Sequence, residues 1–290
     1  MITIFSIPKS FSGQSAIHQA NAISSWLKLS AKVQVILFGN DSGVASFCAE
    51  HGCLHRPRIA VNEFGTPLLN DAFTQARRVA LHETLCYFNA DIILASDFVQ
   101  AIQGLNGKDV LGVARRLNVD YNDPIDFSNP SWENAFLEYV HLHATMGNAG
   151  QADCFVFKKS GFLPELPPFA VGRPGWDHWV IQTARQSGVP VVDVSPTALL
   201  IHPNHGYGHV KQATGKKWEG PEGDSNYKFL RTATGDHYTI DDATHVLKNG
   251  KIRLAVDYHH LRVRLGRILQ KAPAIRSALR LIKKLAGLGY

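Results

Sequence analysis

The sequence has little of what marks several common classes of protein. It contains four cysteines and no Cys-x-x-Cys pair, so no disulfide framework is predicted and a reducing compartment is expected. No stretch approaches the ~20 consecutive apolar residues that a membrane-spanning helix needs. No charged segment followed by an apolar one opens the chain, so no signal peptide is predicted and the expected location is cytoplasmic.

What is present is an ordinary globular composition with an uneven charge. Of the 290 residues, 45% are hydrophobic and 19% charged, which suits one large α/β domain, with or without an appendage. The net charge is +6, but residues 251–290 hold ten Lys or Arg and one acid, which leaves residues 1–250 at −3. A basic nucleic-acid-binding body is thereby excluded. We predict a catalytic domain at 1–250 and a basic tail at 251–290.

The first hundred residues alternate between two hydrophobic periods. Apolar runs predict strands at Ile2–Ile7, Val33–Phe38, Arg58–Val61 and Leu85–Leu94. Helical spacing predicts helices at Gln14–Leu29, Val44–His51, Pro67–His82 and Phe98–Leu105. This alternation predicts a largely parallel sheet with helices on both faces, and such sheets bind ligands at the carboxyl ends of their strands. Pro8, Asp41, the loop 62–66 and Asn89–Asp91 fall at those ends.

The pattern continues, less regularly, to residue 201. Strands are predicted at Val110–Ala114, Ala152–Phe157, Val189–Val194 and Leu199–Ile201, and helices at Glu133–His143 and Trp176–Ser187. The polar stretch 115–134 is predicted to be a long loop, and residues 211–250 match no pattern.

The stretch Leu85–Leu94 is the most informative for function, because it places Asn89 and Asp91 inside an apolar run. A buried carboxylate without a partner is costly, so Asp91 needs a cation, a hydrogen-bonding ligand or a place at the sheet edge. Two oxygen-bearing side chains two residues apart can offer hard oxygen ligands to Mg²⁺ or Mn²⁺. The alternative is an Asx turn that ends the strand.

Three later features carry further candidate chemistry. Asp41 lies in the turn Gly39–Gly43, which could also be a plain turn. Asp177 stands between two tryptophans at the start of a helix, where it could be either a general base or an N-cap. Three histidines, His202, His205 and His209, follow the last predicted strand, and the alternative for them is a solvated loop.

In this order the motifs resemble those of GT-A glycosyltransferases, as a divergent relative of family 2. The resemblance covers residues 1–210. It implies a GT-A fold, with Asn89, Asp91 and His202 around a divalent cation and Asp41 on the nucleotide base. Pro8, Glu63 and His205 are the further candidates for binding the donor. Asp177 would be the general base, although Trp176 stands where the family carries the first acid of a Glu-Asp pair.

The function implied by this resemblance is transfer of a sugar from a nucleotide-diphospho-sugar to an acceptor hydroxyl. The reaction is expected to be inverting and to need Mn²⁺ or Mg²⁺ as cofactor. The expected acceptor is a glycan or lipid-linked glycan of surface polysaccharide synthesis. Two alternatives stay open: a nucleotidyltransferase on a similar sheet, and a membrane-associated protein that binds nucleotide or glycan without turnover.

The basic tail has helical spacing of its own. Leu261, Leu265 and Ile268 recur at that spacing, Lys or Arg fill most of the remainder, and Pro273 divides the tail into two amphipathic helices. Basic amphipathic helices lie on anionic membrane surfaces, so a peripheral position on the inner face of the membrane is predicted. The alternative is a helix packed on the body or on a partner subunit.

Overall fold

A computed structural model of the chain describes residues 1–30, 32–163, 165–205, 220–231, 237–271 and 275. Within these residues the chain forms thirteen strands and eight α-helices. The strands are β1 (Ile2–Ser6), β2 (Gln34–Phe38), β3 (Leu54–Arg56), β4 (Thr84–Phe88), β5 (Ile93–Leu94), β6 (Leu111–Val113), β7 (Leu117–Val119), β8 (Thr145–Met146), β9 (Cys154–Lys158), β10 (Val191–Asp193), β11 (Leu200–Pro203), β12 (His245–Lys248) and β13 (Lys251–Leu254). The α-helices are α1 (Gly13–Lys28), α2 (Val44–His51), α3 (Leu69–Val79), α4 (Phe98–Ala101), α5 (Trp132–His143), α6 (Trp176–Gln186), α7 (Pro221–Arg231) and α8 (Tyr258–Lys271).

The described strands form one large sheet and one small one. The large sheet has the order β13-β12-β10-β6-β9-β4-β1-β2-β3, and the small sheet has the order β5-β11-β7-β8. In the large sheet β9 runs antiparallel to both of its neighbours, and β13 runs antiparallel to β12. The remaining pairs are parallel. The prediction of a largely parallel sheet is therefore confirmed.

Both faces of the large sheet are buried, as the continuous apolar runs predict. Successive residues of β1 point to opposite faces, so Ile4 packs in the cluster that contains Trp26 of α1. Phe5 packs in the opposite cluster with Phe73 of α3 and Trp176 of α6. Helices thus cover each face, so a ligand of the large sheet is expected at the carboxyl ends of its parallel strands.

The predicted continuous strand over Leu85–Leu94 is wrong. The chain turns after β4, with the amide of Ile92 donating to the carbonyl of Asn89 at 3.1 Å. It then enters β5, which belongs to the small sheet. The cause is the polar pair Asn89 and Asp91, whose side chains could not be buried in the middle of a two-sided strand.

Other boundaries also differ from the prediction, and three of these differences bear on the sheets or the site. The third strand is Leu54–Arg56 rather than 58–61. It ends before Pro57 because proline has no N–H group to donate a hydrogen bond to β2. The predicted loop 115–134 contains β7, which pairs with both β8 and β11. The last predicted core strand extends to Pro203, so His202 lies within β11 rather than after it.

The C-terminal part joins the large sheet before it forms a helix. The predicted boundary after residue 250 falls in the turn between β12 and β13, and the division into two domains stays a prediction. The first predicted tail helix is α8, while the second falls on residues outside the described ones, apart from 275. Among the described residues no helix has both the length and the apolar composition needed to cross a membrane.

Candidate active site

The turn between β4 and β5 is held from two directions. The hydroxyl of Ser6, at the end of β1, donates to the carbonyl of Phe88 at 2.6 Å. The indole nitrogen of Trp26, in α1, donates to the carbonyl of Ile92 at 2.7 Å. These buried hydrogen bonds bracket Asn89–Asp91, so Asp91 is presented by a firmly held turn at the carboxyl end of β4.

Two histidines, one in the small sheet and one just after it, lie close to Asp91. The Nε2 atom of His205 lies 3.0 Å from Asp91 Oδ2, and Nε2 of His202 lies 3.9 Å from Asp91 Oδ1. His202 is on β11, which pairs with β5 directly after the turn, and His205 follows two residues beyond that strand. One carboxylate and two imidazoles thus converge from separate segments of the chain.

This cluster fits a divalent cation. One ligand atom from each of Asp91, His202 and His205 lies within 4.8 Å of the others. Among the described residues, Asp91 Oδ1 and His202 Nδ1 are buried and have no hydrogen-bond partner. Buried polar atoms are nearly always paired in folded proteins, so the unpaired Asp91 Oδ1, which faces His202 Nε2 across 3.9 Å, is the atom that points to a ligand here. Carboxylate oxygen with imidazole nitrogen suits Mn²⁺ better than a purely hard-oxygen cation such as Ca²⁺.

The ionisation states also suit a cation. Burial lowers the pKa of His202 to about 4, so its imidazole is neutral at pH 7 and can act as a ligand. Burial also opposes ionisation of Asp91, but the hydrogen bond from His205 and the charge of Lys9 outweigh it and hold the pKa of Asp91 well below its usual range. The cluster is therefore a carboxylate beside a neutral imidazole at neutral pH.

Asn89 donates its amide NH₂ to Asp153 rather than to a member of this cluster. Its Nδ2 donates to Oδ1 of Asp153 at 2.5 Å, and the other oxygen of Asp153 accepts from Arg116 in a buried ion pair. Sequence reasoning missed Asp153, which directly precedes β9. The signal was available, because Asp153 stands inside a predicted apolar strand just as Asp91 does.

Asp177 lies in the first turn of α6, but it is not the N-cap. That position belongs to Gly175, whose φ of 104° is in the left-handed region that favours glycine. Burial raises the pKa of Asp177, with Asp153 contributing to the rise and His178 opposing it. The charge of Asp153 also acts to raise the pKa of His202, against the dominant effect of burial.

The predicted nucleotide-binding residues take separate places along the sheet edge. Pro8 is buried after β1, and the segment that follows it reaches Asp41, since the Ser10 hydroxyl donates to Asp41 Oδ1 at 3.3 Å. Asp41 itself is exposed. Glu63 is also exposed, in a loop whose Asn62 donates to Glu222 of α7 at 2.7 Å. The described contacts do not bring Asp41 or Glu63 to Asp91, and His209 lies outside the described residues.

Comparison with known proteins identifies the fold. No protein-family model matches the sequence, and no curated protein matches it. Among solved structures, GalNAc-T7 with UDP, GalNAc and Mn²⁺ matches with a TM-score of 0.50 and 13% identity, over 79% of this chain and 48% of its own. Glucosyl-3-phosphoglycerate synthase from Mycobacterium tuberculosis, with Mn²⁺, UDP and phosphoglyceric acid, matches with a TM-score of 0.47 and 13% identity, over 81% of this chain and 78% of its own.

The chain has the GT-A fold of nucleotide-sugar glycosyltransferases, as the likeness to GalNAc-T7 shows. The predicted fold class is thereby confirmed. The same synthase has also been solved with Mg²⁺ and UDP, so the two proteins compared hold a divalent cation together with UDP.

Proposed function

We propose that the protein is a glycosyltransferase that moves a sugar from a nucleotide-diphospho-sugar to an acceptor hydroxyl. The observation that carries this proposal is the cluster of Asp91, His202 and His205 at the carboxyl end of β4, in which the buried Asp91 Oδ1 faces His202 Nε2 and has no hydrogen-bond partner. Ligands in sheets of this kind bind at that edge. The Mn²⁺ and UDP in the structure of GalNAc-T7, which has the same fold, support the same assignment.

The residues divide the work between donor and acceptor. Asp91, His202 and His205 would hold Mn²⁺ or Mg²⁺, with Asn89 beside them. When bound there, the cation supplies positive charge to the diphosphate as the bond between sugar and phosphate breaks. Asp177, whose pKa is raised by burial, would take the proton from the acceptor hydroxyl, which corresponds to an inverting reaction.

Thermal-shift binding of UDP, GDP, TDP and CMP, each with and without Mn²⁺, tests this proposal on the intact chain. We expect one nucleoside diphosphate to raise the Tm only when Mn²⁺ is present, because the cation screens its phosphates beside Asp91. The matching nucleotide-sugars should then be hydrolysed slowly or transferred. Binding without any turnover would favour a non-catalytic binding protein, and the absence of any shift would contradict the proposal.

We also propose that the tail region binds an anionic membrane surface, with a lipid-linked glycan as the acceptor. The supporting observation is the orientation of α8. The side of α8 that contacts the rest of the chain is polar. Arg267 pairs with Asp242 at 2.8 Å, and Arg264 donates to the carbonyl of Ala255 at 2.9 Å. Its solvent-facing side is apolar, with Leu261 46%, Leu265 56% and Ile268 57% exposed.

The positive charge of residues 251–290 favours an anionic membrane over a second copy of the chain as the partner of this apolar side. Residues 251–290 hold ten Lys or Arg against one acid, so two copies of this region would repel each other. An anionic bilayer attracts the same charges and accepts the apolar side chains below its headgroups. The described contacts of α8 do not favour the alternative in which α8 packs on the catalytic domain through its apolar face. The side of α8 that contacts the rest of the chain is its polar side.

Vesicle sedimentation tests the membrane proposal. The variant Leu261→Glu/Leu265→Glu/Ile268→Glu should bind phosphatidylglycerol vesicles at least about a hundredfold more weakly, since full burial of each such side chain is worth roughly 1.5–3 kcal/mol. Its Tm should change little, because these side chains are exposed. Leu81→Glu is the matched control at an exposed leucine outside the tail. A wild type that ignores these vesicles but forms dimers would show that the face is a self-contact instead.

A further inference from the structure

The candidate cation site is assembled from two sheets. Asp91 leaves β4 of the large sheet, whereas His202 belongs to β11 of the small sheet. A separate ion pair joins the same two sheets nearby: Arg116 directly precedes β7, the neighbour of β11, and its partner Asp153 directly precedes β9, the neighbour of β4. The relative position of the ligands therefore depends partly on this buried pair.

A chain of hydrogen bonds runs through Asp153 to Asn89. β4 and β9 are antiparallel with Phe88 opposite Cys154, so the next residues outward, Asn89 and Asp153, also face each other. Asn89 Nδ2 donates to Asp153 Oδ1 at 2.5 Å. On the other side, Arg116 donates through Nη1 to Asp153 and through Nε to Asn118 at 2.9 Å.

The direction of these hydrogen bonds is forced. An ionised carboxylate has acceptors only, and a guanidinium has donors only. Asp153 therefore requires the NH₂ end of the Asn89 amide, and the Oδ1 end accepts only a long hydrogen bond of 3.5 Å from the Tyr87 hydroxyl, which leaves it capacity for a ligand. A carboxamide oxygen can bind a divalent cation or accept from a hydroxyl, whereas an NH₂ group repels a cation.

We propose that Asp153 is a positioning residue of the cation site, which fixes the Asn89 amide with its oxygen available and, with Arg116, fixes the two ligand-bearing sheets relative to each other. The inference rests on the proposed function, because it assumes that the cluster around Asp91 binds a divalent cation. The role of Asp153 is exerted through Asn89 and Arg116 rather than by contact with the substrate.

The variant Asp153→Asn tests the direction of the hydrogen bonds. Arg116 would claim the oxygen of the new amide, whose NH₂ group would then face Asn89. Asn89 must in turn rotate its own amide and offer NH₂ in place of oxygen. We expect Mn²⁺ affinity, measured by calorimetry on the nucleotide-free protein, to fall by about tenfold or more, the usual effect of residues that orient metal ligands.

A second substitution, Asn89→Asp, added to Asp153→Asn should restore Mn²⁺ binding. In Asn89→Asp/Asp153→Asn, the carboxylate at 89 accepts from the amide at 153 and keeps a second oxygen for a ligand, so Mn²⁺ affinity should recover to at least the wild-type value. Asn89→Asp alone places two carboxylates face to face and should lower the Tm of the metal-free protein. Asp193→Asn is the matched control, since Asp193 and Asp153 are each 7% exposed.

The outcomes separate this inference from the proposed function. If the wild type binds no Mn²⁺, the cation site itself is overturned, and this inference with it. If the wild type binds Mn²⁺ but Asp153→Asn binds it equally well below its Tm, Asp153 is a structural residue only and the inference alone is wrong. A loss in Asp153→Asn that Asn89→Asp does not rescue would also refute the proposed hydrogen-bond direction.

Discussion

The variant Asp91→Asn is expected to lose Mn²⁺-dependent binding of the nucleotide by more than about a hundredfold, since even residues that only orient metal ligands change affinity by about 10–100-fold. Asp91 supplies the one carboxylate of the described cluster, and its ionised form is favoured by His205 and Lys9. Asparagine keeps the shape but removes the negative charge that a divalent cation requires. Calorimetry with the nucleotide, with and without Mn²⁺, measures the effect directly.

Two controls make this result specific. Asp193→Asn removes a buried carboxylate of the same sheet and should leave Mn²⁺-dependent binding intact. His202→Ala should reduce binding in the same direction as Asp91→Asn, because the two side chains belong to one cluster. If Asp91→Asn binds nucleotide and Mn²⁺ like the wild type, the cation lies elsewhere, and a transferase that does not use a metal at this site becomes the better description.

Substitution of Asp177 should damage the reaction while sparing donor binding. We expect Asp177→Asn to lower kcat by about 10²–10⁴-fold, the usual contribution of a general base. Nucleotide affinity should change by less than about twofold, which is about 0.4 kcal/mol, because Asp177 is assigned to the acceptor and not to the donor. Steady-state kinetics together with the calorimetry above separate the two quantities.

The pH dependence gives the same residue a second test. A base must be ionised to accept a proton, and burial raises the pKa of Asp177 above the value of an exposed aspartate. In the wild type kcat should therefore rise with pH through this raised pKa, and Asp177→Asn should lack that limb. Asp224→Asn, at an exposed carboxylate of α7, is the matched control. An unchanged kcat in Asp177→Asn would exclude Asp177 as the base.

Several elements could be predicted because local pattern and tertiary environment agree. Helix α2 has the predicted bounds, Val44–His51, since glycines stand immediately before and after it. Asp91 was identifiable because an unpaired carboxylate in an apolar run is costly. The same cost applies to Asp153, yet its partner Arg116 lies 37 residues away in sequence and is joined to it only by the pairing of strands.

Other features depend on contacts that no local pattern encodes. The sequence predicts that α8 is amphipathic but not which side faces the body, and the ordinary expectation is an inward apolar face. Asp242 reverses that expectation by pairing with Arg267. Likewise, the polar pair Asn89 and Asp91 explains why β4 ends, but no local pattern shows that Ile93 and Leu94 then pair with β11, a strand that begins over a hundred residues later.

The way α8 is attached to the body has a consequence for its response to ionic strength. Apolar cores are little affected by moderate salt, whereas charges at a surface are screened over about 8 Å at physiological ionic strength. Arg267 pairs with Asp242 at 2.8 Å with its own side chain 19% exposed, so part of the attachment is open to screening. Added salt should therefore weaken two interactions at once, namely the attachment of α8 to the rest of the chain and the attraction of the basic tail to anionic surfaces. The apolar core of the sheet that carries Asp91 should be little affected.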